Sequence, residues 1–340
     1  MATPELHPAR FWDTASGGAV RCHLCPHQCE VPDGGSGQCG ARANRGGRLW
    51  SRVYGNVVAL HVDPVEKKPL YHFLPGTAIL SAGTTGCNLR CLFCQNWNLS
   101  RADSGTPPDV HVVSPKHLVE AAAASNCPSI AFTYNEPTIQ AEYVMDVSEA
   151  AHAAGLRTVM VTNGYITRRA IDEVYRHIDA ANVDLKAFDD AFYRRECDGS
   201  LAPVLATLEA LVAMGVWVEV TTLVIPGLND SPEAMRTEAA WIRDHLGADV
   251  PLHLSAFHPD YRMLDRPPTS ATTIHACRDA ARAEGLRYVY EGNLETDARD
   301  THCPACDAAV VRRTWGSVRD MALTDGRCRQ CGAPIAGVWS

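Results

Sequence analysis

Short apolar runs alternate with longer stretches of helical spacing through the middle of the chain. The runs at 78–80, 129–132, 158–161, 180–185, 217–220 and 251–254 are short and largely apolar and read as parallel strands buried on both faces. Between them, 139–154, 168–178, 203–214, 232–246 and 272–284 place apolar residues three and four apart, the mark of helices with one buried face. Gly155 and Gly285 each follow an Ala-rich run and precede a strand, where a left-handed residue closes a helix. The repeat of about thirty residues predicts an α/β fold of βα units in a parallel barrel or open sheet.

The two ends break this rhythm. Residues 21–52 are rich in Gly and Cys with few periodic apolar positions, so a metal is expected to hold them together. After Asn293 the pattern stops, and residues 301–340 carry two Cys pairs. The expected organisation is an N-terminal Cys-rich region at 1–75, a central βα body at 76–298 and a small C-terminal module at 299–340.

Composition narrows the function classes. With 340 residues and 46% hydrophobic content the chain supports one large core and small appendages. It holds 31 Lys and Arg against 39 Asp and Glu, a net charge of -8, so nothing global points to nucleic acid or a membrane surface. No leader-like or spanning apolar segment is read, and a cytoplasmic location is expected. In that reducing setting 14 cysteines, eleven of them in three tight groups, point to metals rather than disulfides.

The central group is Gly86-Cys87-Asn88-Leu89-Arg90-Cys91-Leu92-Phe93-Cys94, directly after the first predicted strand. Thiolates are the usual ligands of iron-sulfur clusters, and three of them leave one iron of a four-iron cluster open to a ligand. A zinc knuckle with a borrowed fourth ligand competes, but structural zinc sites pair their ligands as C-x2-C. Polar segments follow each later strand: Thr133-Tyr134-Asn135-Glu136-Pro137, Thr162-Asn163-Gly164, Asp184-Leu185-Lys186, Ile225-Pro226-Gly227-Leu228-Asn229-Asp230 and Phe257-His258-Pro259. The strand ends of a βα fold are where such groups do chemistry.

The C-x3-C-x2-C spacing, with an aromatic residue before its last cysteine, resembles the radical S-adenosylmethionine (SAM) superfamily. The strand-end segments resemble pyruvate formate-lyase activating enzyme and its relatives. Glu66-Lys67-Lys68-Pro69-Leu70-Tyr71-His72-Phe73, Cys94-Gln95-Asn96-Trp97 and Phe132-Thr133-Tyr134-Asn135-Glu136-Pro137 are closer still to the radical SAM enzyme of the AmmeMemoRadiSam system. That resemblance implies a partial (βα)6 TIM-like barrel in which Cys87, Cys91 and Cys94 hold a [4Fe-4S] cluster.

It further implies reductive cleavage of SAM to a 5′-deoxyadenosyl radical that abstracts hydrogen from an unidentified substrate, with a glycyl radical enzyme activase as the alternative. Phe93, Asn135, Glu136, Asn163, Asp184, Lys186 and His258 are the implied SAM contacts, and Lys186 and His258 are also candidate catalytic groups. Tyr134 and Asn135 stand where the superfamily usually has glycines. Asp184 and Lys186 also suit a simple ion pair with each other. Implied partners are Memo-like and AMMECR-type proteins and a reducing donor such as flavodoxin or ferredoxin. Asp63, Glu66, Lys67, Lys68 and His72 form a charged stretch that reads equally as a solvated loop or a substrate or partner contact.

Cys303-x2-Cys306 and Cys328-x2-Cys331 have the paired spacing of a zinc ribbon, with a rubredoxin-type iron site second. Cys22-x2-Cys25-x3-Cys29 followed by Cys39 fits either zinc, which is slightly favoured, or a second iron-sulfur cluster. Cys127, Cys197 and Cys277 read first as small core hydrophobes, and Cys197, expected in a loop near Tyr193 and Gly199, is the candidate reactive thiol among them.

Overall fold

The computed structural model describes residues 6–101, 110–296, 298–314 and 316–340. At its centre lies one eight-stranded sheet formed by β1 (Ala59–Pro64), β2 (Ala78–Gly83), β3 (Ser129–Phe132), β4 (Arg157–Thr162), β5 (Ala180–Asp184), β6 (Trp217–Val224), β7 (Leu252–Ala256) and β8 (Val289–Gly292). The strands lie in chain order, with β2 to β8 parallel and β1 antiparallel to β2. All six apolar runs read from the sequence became parallel strands, and the strand after Gly285 adds a seventh. They are mostly apolar because both faces are covered: every residue of β3 is buried, and so are Asn182, Glu219 and His253 within β5, β6 and β7.

Helices α1 (Pro115–Ala124), α2 (Ala141–Ala153), α3 (Arg168–Val174), α4 (Leu201–Ala213), α5 (Pro232–His245) and α6 (Ala271–Ala283) connect the strands. Three begin on a serine whose hydroxyl accepts a free backbone N–H, Ser114 from His117, Ser231 from Ala234 and Ser270 from Thr273. Gly155 and Gly285 take φ of 75° and 98°, as their positions after α2 and α6 require. Among the described residues no helix is long and apolar enough to cross a membrane.

The N-terminal region is less dependent on metal than its composition suggests. It forms two small antiparallel sheets, and Val20, Leu24, Val31 and Leu49 are buried in the same core as the central strands. Arg42 is fastened there through two bonds of 2.7 and 2.8 Å to Glu142 of α2, with both side chains buried. The C-terminal hairpins likewise share a core with the sheet: Val310, Val311, Leu323 and Ile335 pack with Tyr71, Tyr288 and Tyr290.

A single buried carboxylate ties these pieces together. Glu219 of β6 accepts bonds from the backbone N–H groups of Tyr71 (3.0 Å) and His72 (2.8 Å) and from the Trp217 indole (3.1 Å), and it pairs with His253 Nε2 (2.6 Å). His72 is fully buried, its ring nitrogens 2.6 Å from the Ala336 carbonyl and 2.5 Å from the Tyr290 hydroxyl. Burial pushes its pKa down to about 4 despite Glu219, so it is a neutral structural pin at ordinary pH. That placement removes His72 from the groups available to a substrate or partner.

Candidate active site

The residues following β2, and those at the ends of β3, β4 and β5, meet over the C-terminal edge of the sheet. A cavity of about 230 Å³ there is lined by Cys87, Cys91, Phe93, Cys94, Asn135, Glu136, Asn163, Asp184 and Lys186. Nine of the predicted site residues are thus brought together, from segments as far apart as positions 87 and 186.

The cysteine loop is held from several sides. Asn135 accepts from Thr84 N (2.9 Å) and donates to Thr84 Oγ1 and the Gly86 carbonyl (3.0 Å each), so its amide braces the turn entering Cys87. Asn163 donates to Asn88 Oδ1 (2.9 Å) and reaches Cys87 Sγ at 3.7 Å, and Leu89 N lies 3.4 Å from the same sulfur. Ser100 Oγ lies 3.1 Å from Cys94 Sγ. At the rear, Arg90 N and Leu92 N donate to the carbonyls of Cys197 and Glu196 at 2.8 and 2.9 Å.

Glu136 is buried, and its carboxylate accepts from Thr138 N, Thr162 Oγ1 and Asn163 N at 2.7–2.8 Å. Burial raises its pKa in spite of these donors. Its bonds join the β3 and β4 loops, so Glu136 and Asn135 shape the cavity wall as well as line it. Tyr134 takes φ of 72°, a conformation costly for a bulky residue and natural at a position where the resembled segment has glycine. Its hydroxyl donates to Asp63 Oδ2 (2.8 Å) and its ring lies 4.9 Å from Lys68 Nζ. Those contacts hold it there.

Lys186 and Asp184 form a 2.6 Å ion pair whose side chains are 15% and 32% exposed, so both still face the cavity. Burial disfavours the ammonium, but Asp184 and Cys91 outweigh it, and the Lys186 pKa rises well above its usual value. Lys186 N donates to Tyr193 Oη (3.0 Å) and its carbonyl accepts from Asn229 (2.9 Å), which fixes the end of β5. Phe93 lines the cavity while its ring packs on Phe192, centroids 5.9 Å apart.

Two predicted residues lie elsewhere. His258 is exposed, outside the cavity lining, and its Nδ1 lies 3.4 Å from the carbonyl of its own neighbour Pro259. Cys197 is not in a loop but ends the π-helical turn Tyr193–Cys197, fully buried. Its hydrogen bond to Cys91 holds that thiol's pKa below the usual value against the effect of burial. It therefore backs the cysteine loop rather than facing a substrate. Sequence reading missed Ser100 and Thr221, lone hydroxyls in no motif; Thr221 Oγ1 is buried in the cavity wall without a partner.

The other two cysteine groups also converge. Sγ atoms of Cys303 and Cys331 lie 3.5 Å apart, those of Cys306 and Cys328 3.8 Å, and all four lie within 4.8 Å of one another, as one metal ion requires. Cys22, Cys25, Cys29 and Cys39 line a separate small cavity beside Asn88.

Three thiols and polar strand ends around one cavity define a class, and comparison with known proteins agrees. The radical SAM superfamily profile matches residues 82–239. An uncharacterized protein of Methanocaldococcus jannaschii is 40% identical over 97% of this chain and 99% of its own length. Residues 82–239 thus carry a radical SAM domain, that of a superfamily of iron-sulfur, metal-binding enzymes of radical reactions that use SAM. Within it, pyruvate formate-lyase 1-activating enzyme of Escherichia coli K12 is a homologue, 27% identical over 51% of this chain and 71% of that protein. The solved structure of Streptococcus suis SuiB bound to precursor peptide SuiA shares the fold, with TM-score 0.51 and 11% identity over 68% of this chain and 52% of that one.

Proposed function

We propose that the chain is a radical SAM enzyme in which Cys87, Cys91 and Cys94 hold the [4Fe-4S] cluster and the cavity beside them takes SAM. The observation that carries this reading is the meeting of these three thiols with Asn135, Glu136, Asn163, Asp184 and Lys186 around one cavity at the strand ends. The residues suit the cofactors: three thiols leave an iron open, and the unpartnered Thr221 hydroxyl offers a polar ligand a bond inside the wall. When bound, the reduced cluster and SAM supply the 5′-deoxyadenosyl radical for hydrogen abstraction.

The protein's own contribution is positional. Asn135 and Asn163 hold the cysteine loop, Glu136 joins two strand ends, and Lys186, charged at any physiological pH, offers its free N–H bonds to a carboxylate. His258 does not line that cavity, so we assign it no role there.

The motif string spanning residues 66–73, 94–97 and 132–137 supports placement in the AmmeMemoRadiSam group, with Memo-like and AMMECR-type partners and a flavodoxin or ferredoxin as donor. The central body at 76–298 would form the partial barrel, with the modules at 1–75 and 299–340 attached and zinc at residues 303–331. Homology to activating enzymes favours one second reading, installation of a glycyl radical on a partner protein.

Electron paramagnetic resonance (EPR) of the anaerobically reconstituted, reduced chain tests the assignment. SAM should shift the cluster signal in wild type, and substitution of Cys87, Cys91 and Cys94 should abolish the SAM-responsive signal. A signal indifferent to SAM overturns the reading. A persistent organic radical on an added glycyl radical protein would select the activase.

A further inference from the structure

The N-terminal thiols belong to no step described so far. Cys22, Cys25, Cys29 and Cys39 line a small cavity with Leu24, Ile139 and Arg42. We propose that they hold a second iron-sulfur cluster, seated against the loop that carries Cys87 and placed to pass it single electrons. The electron-transfer part rests on the radical SAM reading; the cluster assignment does not.

Thiol spacing separates this site from the C-terminal one. A tetrahedral zinc with Zn–S bonds of about 2.3 Å sets its sulfurs about 3.8 Å apart. The C-terminal pairs, at 3.5 and 3.8 Å, meet that geometry. Among the described residues only those four ligands gather within 4.8 Å of one another. The N-terminal thiols surround their cavity without closing to that distance, and so do Cys87, Cys91 and Cys94, whose superfamily carries a multi-iron core. The wider ring fits a cluster of several irons better than one ion.

The lining suits an anionic cluster. Arg42 is buried among the thiols, its guanidinium paired with Glu142, and its Nε–H has no partner. A buried N–H beside sulfur is the kind of donor that stabilises and tunes iron-sulfur centres.

The site abuts the central loop directly. A Cβ built on Gly86 would lie 2.4 Å from the Cys39 carbonyl oxygen, so only glycine allows the two segments to meet there. His27 Nε2 lies 2.7 Å from the Asn88 carbonyl, and Asn88 lines the N-terminal cavity while accepting from Asn163, which reaches Cys87 Sγ. One electron from a low-potential donor protein would reduce the second cluster, and that cluster would in turn reduce the first. Neither transfer forms or breaks a covalent bond or moves a proton.

The test uses the full chain with Cys87→Ala, Cys91→Ala and Cys94→Ala combined, which leaves the N-terminal thiols intact. Iron, sulfide and zinc are assayed after anaerobic preparation, with EPR after dithionite reduction. Retained iron, sulfide and a reduced-cluster signal, with about one zinc per chain, are expected. Two zincs and no cluster signal would overturn the proposal. Cys25→Ala with Cys29→Ala should lose the second signal and keep the SAM-responsive one, so failure here and failure of the radical SAM reading look different. In reduced wild type the two signals should broaden each other; a spectrum equal to the sum of the two variants would refute the electron path.

Discussion

Replacing Glu219 with Gln removes one charge and almost no volume, yet it should loosen the base of the sheet. The carboxylate receives His72 N and Trp217 Nε1 on one oxygen and Tyr71 N and His253 Nε2 on the other, at 2.6–3.1 Å, with no exposure to water. A glutamine amide has one acceptor oxygen, so its NH2 must face one of these pairs. Turned toward Tyr71 and His253, it strands the Tyr71 N–H, while His253 adapts by changing tautomer; turned the other way, it strands two donors. A stranded buried donor costs roughly 1–3 kcal/mol, and loss of a charged acceptor adds to that, so a destabilisation of roughly 2–4 kcal/mol is expected.

Urea unfolding of the metal-loaded chain measures the cost, and proteolysis within residues 66–75 reports where the structure opens. The sign with pH follows from the same geometry. Burial opposes the Glu219 charge, but His253, His72 and the Tyr71 N–H outweigh it and hold its pKa below the usual value. Its contribution is therefore present above the unfolded-state pKa and lost as pH falls through the folded one. Glu219→Gln should flatten that acid limb. An unfolding free energy within about 0.5 kcal/mol of wild type would refute the claim that this carboxylate organises the junction.

Asn135→Ala should lower the iron content retained at Cys87, Cys91 and Cys94 while leaving circular dichroism unchanged, because it frees the Thr84–Gly86 turn without opening the core. Burial pushes Glu238 up to about 8, so its contribution to stability is complete below about pH 4.5 and is lost as pH rises through 8. Glu238→Gln should accordingly be more stable than wild type above pH 8 by on the order of 4 kcal/mol, with the difference vanishing in acid when both are followed by urea unfolding. Removing the metal at Cys303, Cys306, Cys328 and Cys331 with a chelator should expose the packing of Tyr71, Tyr288 and Tyr290, seen as changed fluorescence of Trp339 and cleavage after residue 300.

The sheet was legible because burial on both faces leaves a short, mostly apolar run for each strand. The helices were legible because one exposed face leaves the opposite period. Helix α1 was not read, although Ser114 caps it and Pro115 opens it, the local signals of a helix start. Strand β1 escaped because Leu60 and Val62 are exposed beside polar neighbours, so an edge strand reads as a loop. At the site, the cysteines and strand-end motifs were visible as local strings. The roles of Asn135 and Glu136 as braces were not, since they depend on bonds to Thr84, Gly86 and Asn163 from other loops. Cys197 looked like a free thiol because sequence records neither its burial nor the Cys91 sulfur in front of it.

The account stands most directly on formation of 5′-deoxyadenosine from SAM by the reduced, anaerobically reconstituted full chain, set beside Cys91→Ala. Wild type should release 5′-deoxyadenosine and methionine in equal amounts, and the variant should release neither. A wild-type chain that binds SAM, carries a reducible cluster at Cys87, Cys91 and Cys94, receives its partner proteins and electron donor, and still yields no 5′-deoxyadenosine would contradict the proposed chemistry.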